Sequence, residues 1–77
     1  MKDTTVLVTN VSIPPMSTVG YGTGFDEDGR IVEFMGDHRR MRGIGEALAQ
    51  GEDVVILVPG WSITSILTPA TEKERLS

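Results

Sequence analysis

The chain has 77 residues and no cysteine, so it is expected to form one small domain without a disulfide framework, and a multidomain enzyme is excluded. Seven Lys and Arg against eleven Asp and Glu give a net charge of -4 and a pI near 4.7, which argues against a surface that is wholly a nucleic-acid footprint. At 39% hydrophobic and 23% charged residues the composition is that of a folding globular chain, and the longest apolar run, Val54 to Val58, is far too short for a membrane span or leader, so the expected location is the cytoplasm.

Thr4 to Ile13 is dominated by β-branched residues, whose stiff χ1 suits a pleated surface, and predicts a first strand. Pro14 and Pro15 remove two consecutive backbone donors and end it. Thr18 to Phe25 alternates strictly, placing Val19, Tyr21, Thr23 and Phe25 on one face of a second strand and Gly20, Gly22 and Gly24 on the other. Asp26-Glu27-Asp28-Gly29 reads as a hairpin turn, because acidic residues repel along a strand and Asp-Gly readily supplies positive φ. Arg30 to Met35 resumes as a third strand.

From Asp37 the period changes, since Met41, Ile44, Ala47 and Leu48 recur at helical spacing. Asp37 is the natural N-cap and Gly51 a left-handed stop, so a helix is expected over His38 to Gln50. Gly43 and Gly45 each cost a helix interior about 1 kcal/mol relative to alanine, which predicts close approach of the helix there to a strand or another helix, by packing inside the fold or, as the alternative, by contact with a partner. Asp53 to Val58 is a fourth strand, Pro59-Gly60 a tight turn, and Trp61 to Leu67 a fifth strand. Residues 1–68 are expected to be a single β-rich domain and 69–77 a polar, flexible tail.

The order β-β-β-α-β-β, mainly β with one helix between the third and fourth strands, resembles that of the OB-fold, and the resemblance implies a small five-stranded OB-like barrel. It is a likeness of topology and not of motif. An α+β open antiparallel sheet with one packed helix gives the same string and is the alternative.

The motifs exclude more than they assign. Thr18-Val19-Gly20-Tyr21-Gly22 matches the potassium-channel selectivity filter letter for letter, but a filter needs pore helices and a membrane, so the match is a coincidence. Gly20, Gly22 and Gly24 miss the dinucleotide spacing G-x-G-x-x-G, as do Gly43 and Gly45. Asp26 to Gly29 lacks the calcium-loop spacing, and one histidine without cysteine cannot build a zinc cage, so neither metal nor cofactor is expected. Gly60-Trp61-Ser62-Ile63-Thr64 departs from the nucleophile elbow at its last position. No catalytic constellation emerges, and the protein is not expected to be an enzyme.

Two features point to binding. His38, Arg39, Arg40 and Arg42 crowd the helix end that carries the positive pole of the macrodipole, where each cation is unfavourable by about 0.3–1 kcal/mol. These cations either pair with Glu33, Glu46 or the Asp26–Asp28 turn, or meet an anionic partner. Val54 to Val58 is apolar on both strand faces, so one face must be covered by something besides the core, and Val55 and Leu57 become candidate contacts in a homo-oligomer. Trp61 follows a Pro-Gly turn as a core anchor or an exposed hot spot. The expectation is a non-enzymatic protein-binding or regulatory module that uses the apolar strand, with the basic helix start as its charged rim. The alternative is an OB-type single-stranded nucleic-acid binder, which would need aromatic side chains beside the arginines on one surface.

Overall fold

The computed structural model describes residues 1–68, and the tail expected over 69–77 lies outside the described residues. The elements are β1 (Thr4–Ser12), β2 (Val19–Phe25), β3 (Ile31–Asp37), α1 (His38–Ala49), β4 (Val54–Val58), a 3-10 turn (Gly60–Ser62) and β5 (Ile63–Leu67). The strands form one sheet in the order β4-β1-β2-β3-β5 with every pair antiparallel. β4 and β5 are its two edges and do not pair with each other. The architecture is therefore the open antiparallel sheet with one helix, and the sheet is not closed into a barrel.

β1 shows how local pattern and pairing reconcile. Val6 and Val8 are buried, and Val11 and Ile13 pack against the same core, yet Val8 and Val11 are three residues apart and would point to opposite faces of a regular strand. The register slips between Val8 and Asn10, so that an extra residue, Thr9, is accommodated and both valines face inward. The odd spacing of Val8 and Val11 is the sequence signal for this bulge.

The core is one cluster of Val6, Val8, Val32, Phe34, Met41, Ile44, Val58 and Ile63. Phe34 and Met41 reach it across β2, whose inward positions are glycines. A Cβ at Gly22 would lie 2.7 Å from Phe34 Cε2, and one at Gly20 would lie 2.8 Å from Met41 Cβ. The expectation that these glycines mark a crowded part of the sheet agrees with the structure.

Asp37 caps the helix, its Oδ1 accepting from Arg40 N–H at 3.1 Å, and Gly51 follows at φ +81. Met41 and Ile44 are its buried residues. The helix ends at Ala49, one residue earlier than expected, with the Gln50 N–H donating to the carbonyls of Glu46 and Ala47. The helix glycines do not serve close approach. A Cβ at Gly43 would meet nothing within 4 Å, and at Gly45 it would make ordinary contact with Val11 at 3.7 Å.

β3 runs directly into the helix, with Gly36 paired to Gly20 and Asp37 to Val19. The fifth strand starts at Ile63 and not at Trp61, because Ser62 N–H donates to Pro59 C=O at 3.0 Å and turns the intervening residues into a 3-10 turn. That short crossing joins opposite edges of the sheet. Flat strands about 4.8 Å apart would hold these edges about 19 Å apart, and the five peptide units from Val58 to Ile63 reach about 18 Å only when fully extended. The sheet must roll around its core, and accordingly Phe34 of β3 and Ile56 and Val58 of β4 line one cavity.

Two glycine substitutions separate these roles. Gly22→Val should destabilise by about 1–3 kcal/mol through overlap with Phe34. Gly43→Ala should stabilise by about 1 kcal/mol, a rise in Tm of about 4–8 °C for a domain of this size. Thermal melts check both; equal shifts would contradict the packing.

Candidate functional site

Alternation along the rolled sheet sends Val54, Ile56 and Val58 of β4 toward the core and leaves Val55 and Leu57 outward, 61% and 59% exposed. The register extends this outward surface across every strand. Val55 lies opposite Leu7, Leu7 opposite Phe25, Phe25 opposite Ile31, and Ile31 opposite Leu67. One apolar residue per strand thus forms a continuous row at right angles to the strands. Ile31 is half-buried between its neighbours, and the other four are exposed. Tyr21 and Met35 face each other further along β2 and β3. Apart from Asp37, which caps the helix, Glu33 carries the only charge on the outward strand positions.

Leu7, Phe25, Ile31 and Leu67 were not among the residues singled out from sequence. The signal was present in the apolar outward positions of alternating strands. Strand order was needed to show that they align.

The basic cluster lies on the other side of the sheet. Arg39, Arg40 and Arg42 project from α1, which packs on the inner face, and all three are exposed. Among the described residues no carboxylate lies within 4.0 Å of them, so pairing with Glu33, Glu46 or the acidic turn is not realised; Arg30 takes that turn instead. His38 is half-buried, with its Nε2 3.5 Å from Arg42 Nη2. At the helix start the Arg40 N–H already donates to Asp37 Oδ1 and the His38 N–H to Thr18 C=O, which leaves fewer amide groups for an anion. The charged rim expected around Val55 and Leu57 is therefore not assembled, because alternation puts these side chains on the face opposite the helix.

Trp61 stands 85% exposed on the 3-10 turn between the two sheet edges. Its neighbours Pro59 and Ser62 share a cavity of about 20 Å³ with Arg40, Phe34, Met41 and Val58. That volume holds about one water and is far below the roughly 300–1,000 Å³ of a small-molecule site. The exposed Tyr21 and Phe25 are on the outward face, remote from the helix arginines, and Phe34 is buried. Of the four aromatic residues only Trp61 is exposed outside that face, so the arrangement of arginines among several aromatics is not present.

The acidic hairpin is organised by Asp26, whose side chain is only 3% exposed. Its Oδ1 accepts from the N–H groups of Asp28 at 2.9 Å and Arg30 at 2.8 Å, and its Oδ2 pairs with Arg30 Nε at 2.7 Å. Burial works against its charge, but the Arg30 amide and guanidinium and the Asp28 amide outweigh it and hold its pKa below the usual carboxylate value. No group of three or more metal-ligating side chains occurs among the described residues. No helix among them is long and apolar enough to cross a membrane.

Comparison with family models, with curated proteins and with solved structures returns no match to this chain.

Two outcomes follow from the charges. A carboxylate with a depressed folded pKa contributes stability that is present above its unfolded pKa of about 3.9 and lost as pH falls through the folded value. Asp26→Asn should thus lower the Tm at neutral pH and flatten its decline below about pH 4; an unchanged acid limb in a pH series of melts would remove Asp26 from it. The triple change of Arg39, Arg40 and Arg42 to Gln should leave the Tm unchanged or raise it, each position contributing about 0.3–1 kcal/mol at most. A fall in Tm would show that these arginines stabilise the fold.

Proposed function

We propose that the protein is a non-enzymatic protein-binding or regulatory module whose docking surface is the outward apolar row through Val55, Leu7, Phe25 and Leu67. The observation that carries this reading is the continuity of the row across all five strands, with Glu33 and Asp37 the only charges at the outward strand positions and the charged Asp26 to Arg30 hairpin bordering the row at Phe25 and Ile31. Monomeric proteins rarely expose contiguous apolar patches larger than a few hundred Å² unless they bind something. The fitting partner is a protein with an uncharged apolar surface of its own, since a charged one would be desolvated here without compensation. Arg39, Arg40 and Arg42 form a second, separate surface suited to an acidic patch.

The OB-type reading, a small barrel that binds single-stranded nucleic acid, draws support from Tyr21 and Phe25, which stand exposed on the central strand as stacking residues do. It requires cations beside them, and the outward strand positions supply none.

The test is capture from a host lysate by the immobilised protein, with nuclease treatment, comparing the unaltered chain with Leu7→Lys and Phe25→Glu. A protein retained after nuclease treatment should be lost with both variants, by at least about 30-fold in affinity if these side chains are hot spots worth about 2 kcal/mol. Equal retention by the variants would overturn the assignment of the row. Nuclease-sensitive capture, together with binding of a single-stranded oligonucleotide in titration, would favour the alternative.

A further inference from the structure

We propose that β4 is the contact between two copies of this chain, which pair antiparallel, edge to edge, about a two-fold axis at Ile56. This goes beyond the docking row: the contact shares Val55 with it, but Leu7, Phe25, Ile31 and Leu67 take no part.

The two edges of the sheet differ in how they are protected. β5 carries an irregular register at Thr64, opposite Glu33 and Phe34, of the kind that blunts an edge. β4 pairs with β1 residue for residue from Thr4–Val58 to Val8–Val54 without a slip, and it contains no charge, no proline and no bulge. Among the described residues its other side has no strand beside it. A regular, uncharged edge of five apolar residues is a template for a further strand.

The sequence of β4 makes a second copy the fitting occupant. With Ile56 against its own copy, Val55 lies opposite Leu57 and Val54 opposite Val58, so every pair is apolar and two of the three kinds join β-branched residues. Charges are kept apart by the same register. Asp53 comes opposite Pro59 and Glu52 opposite Gly60, and no carboxylate meets another. Each Trp61 is carried to the far end of the other copy's β4, beside its Gly51 to Asp53 turn, which gives a partner to an indole that is 85% exposed among the described residues.

Covering two strand edges, the outward parts of Val55 and Leu57 and two indoles removes on the order of 1,000 Å² from water, the lower limit for a specific interface. An interface at this limit belongs to the weak, transient class, and dissociation is expected at about tens of micromolar.

Sedimentation of the full chain from roughly 1 μM to roughly 1 mM should show a mass rising from 8.4 kDa to twice that value. Leu57→Lys, at an exposed position, should abolish the rise, while Phe25→Glu should leave it intact; circular dichroism establishes that both variants fold. The chain has no cysteine of its own. Ile56→Cys should therefore give a disulfide-linked dimer on mild oxidation, since directly opposed antiparallel residues have Cα atoms about 4.5–5.5 Å apart, within disulfide reach. Phe25→Cys should not. A mass of 8.4 kDa throughout overturns the proposal, as does a dimer that survives Leu57→Lys or one that is lost with Phe25→Glu, the result expected if outward faces stack instead. Because lysate capture depends on Leu7 and Phe25 and self-association on β4, failure of one reading is visible while the other stands.

Discussion

The fold depends on a strand without side chains on its inner face. β2 is the middle strand, and its inward positions are Gly20, Gly22 and Gly24. Glycine weakens a strand through backbone entropy, and here that loss is offset by what the empty face admits. The Phe34 ring lies over Gly22, and Met41 comes down from the helix onto Gly20. Both become almost fully buried as a result. Burying a side chain of this size is worth about 1.5–3 kcal/mol, more than a strand glycine costs.

The same arrangement explains the roll of the sheet and the route of the chain. With the centre of the sheet thin, the flanking strands curve toward the helix, and residues 59–62 can step from one edge to the other through a single 3-10 turn. A second tie holds this crossing, where Asp3 Oδ1 accepts from Gly60 N–H at 2.9 Å. Gly60 is also pressed against the Met1 carbonyl, leaving no room for a Cβ. The outward face gains no cover from any of this. Its apolar residues are those that alternation assigns to the side away from α1, and they remain exposed because the described residues have no second layer to place over them.

Charge follows the same division. Asp26 and Asp28 of the hairpin are met locally by Arg30, and Asp26 also by backbone amides, whereas the helix arginines have no carboxylate within reach among the described residues. The outcome is a domain with an apolar side and a basic helix on opposite faces of one sheet.

Local chemistry was legible in the sequence wherever a cause acts over a few residues. The β-branched run of β1, the paired prolines after it, the Asp-Gly hairpin, the Asp37 cap and the Gly51 stop each act within one turn or strand, and the element order followed from them. The spacing of Val8 and Val11 also encodes the bulge in β1. Strand order is another matter, because it depends on which strand each edge meets and not on what any strand contains. Only the tertiary structure placed β4 beside β1 and β5 beside β3, aligned Leu7, Phe25, Ile31 and Leu67 with Val55, and put the arginines on the far side from Leu57. The sheet stayed open for the same kind of reason: closure requires β4 and β5 to meet along their length, and packing holds them together only at the crossing.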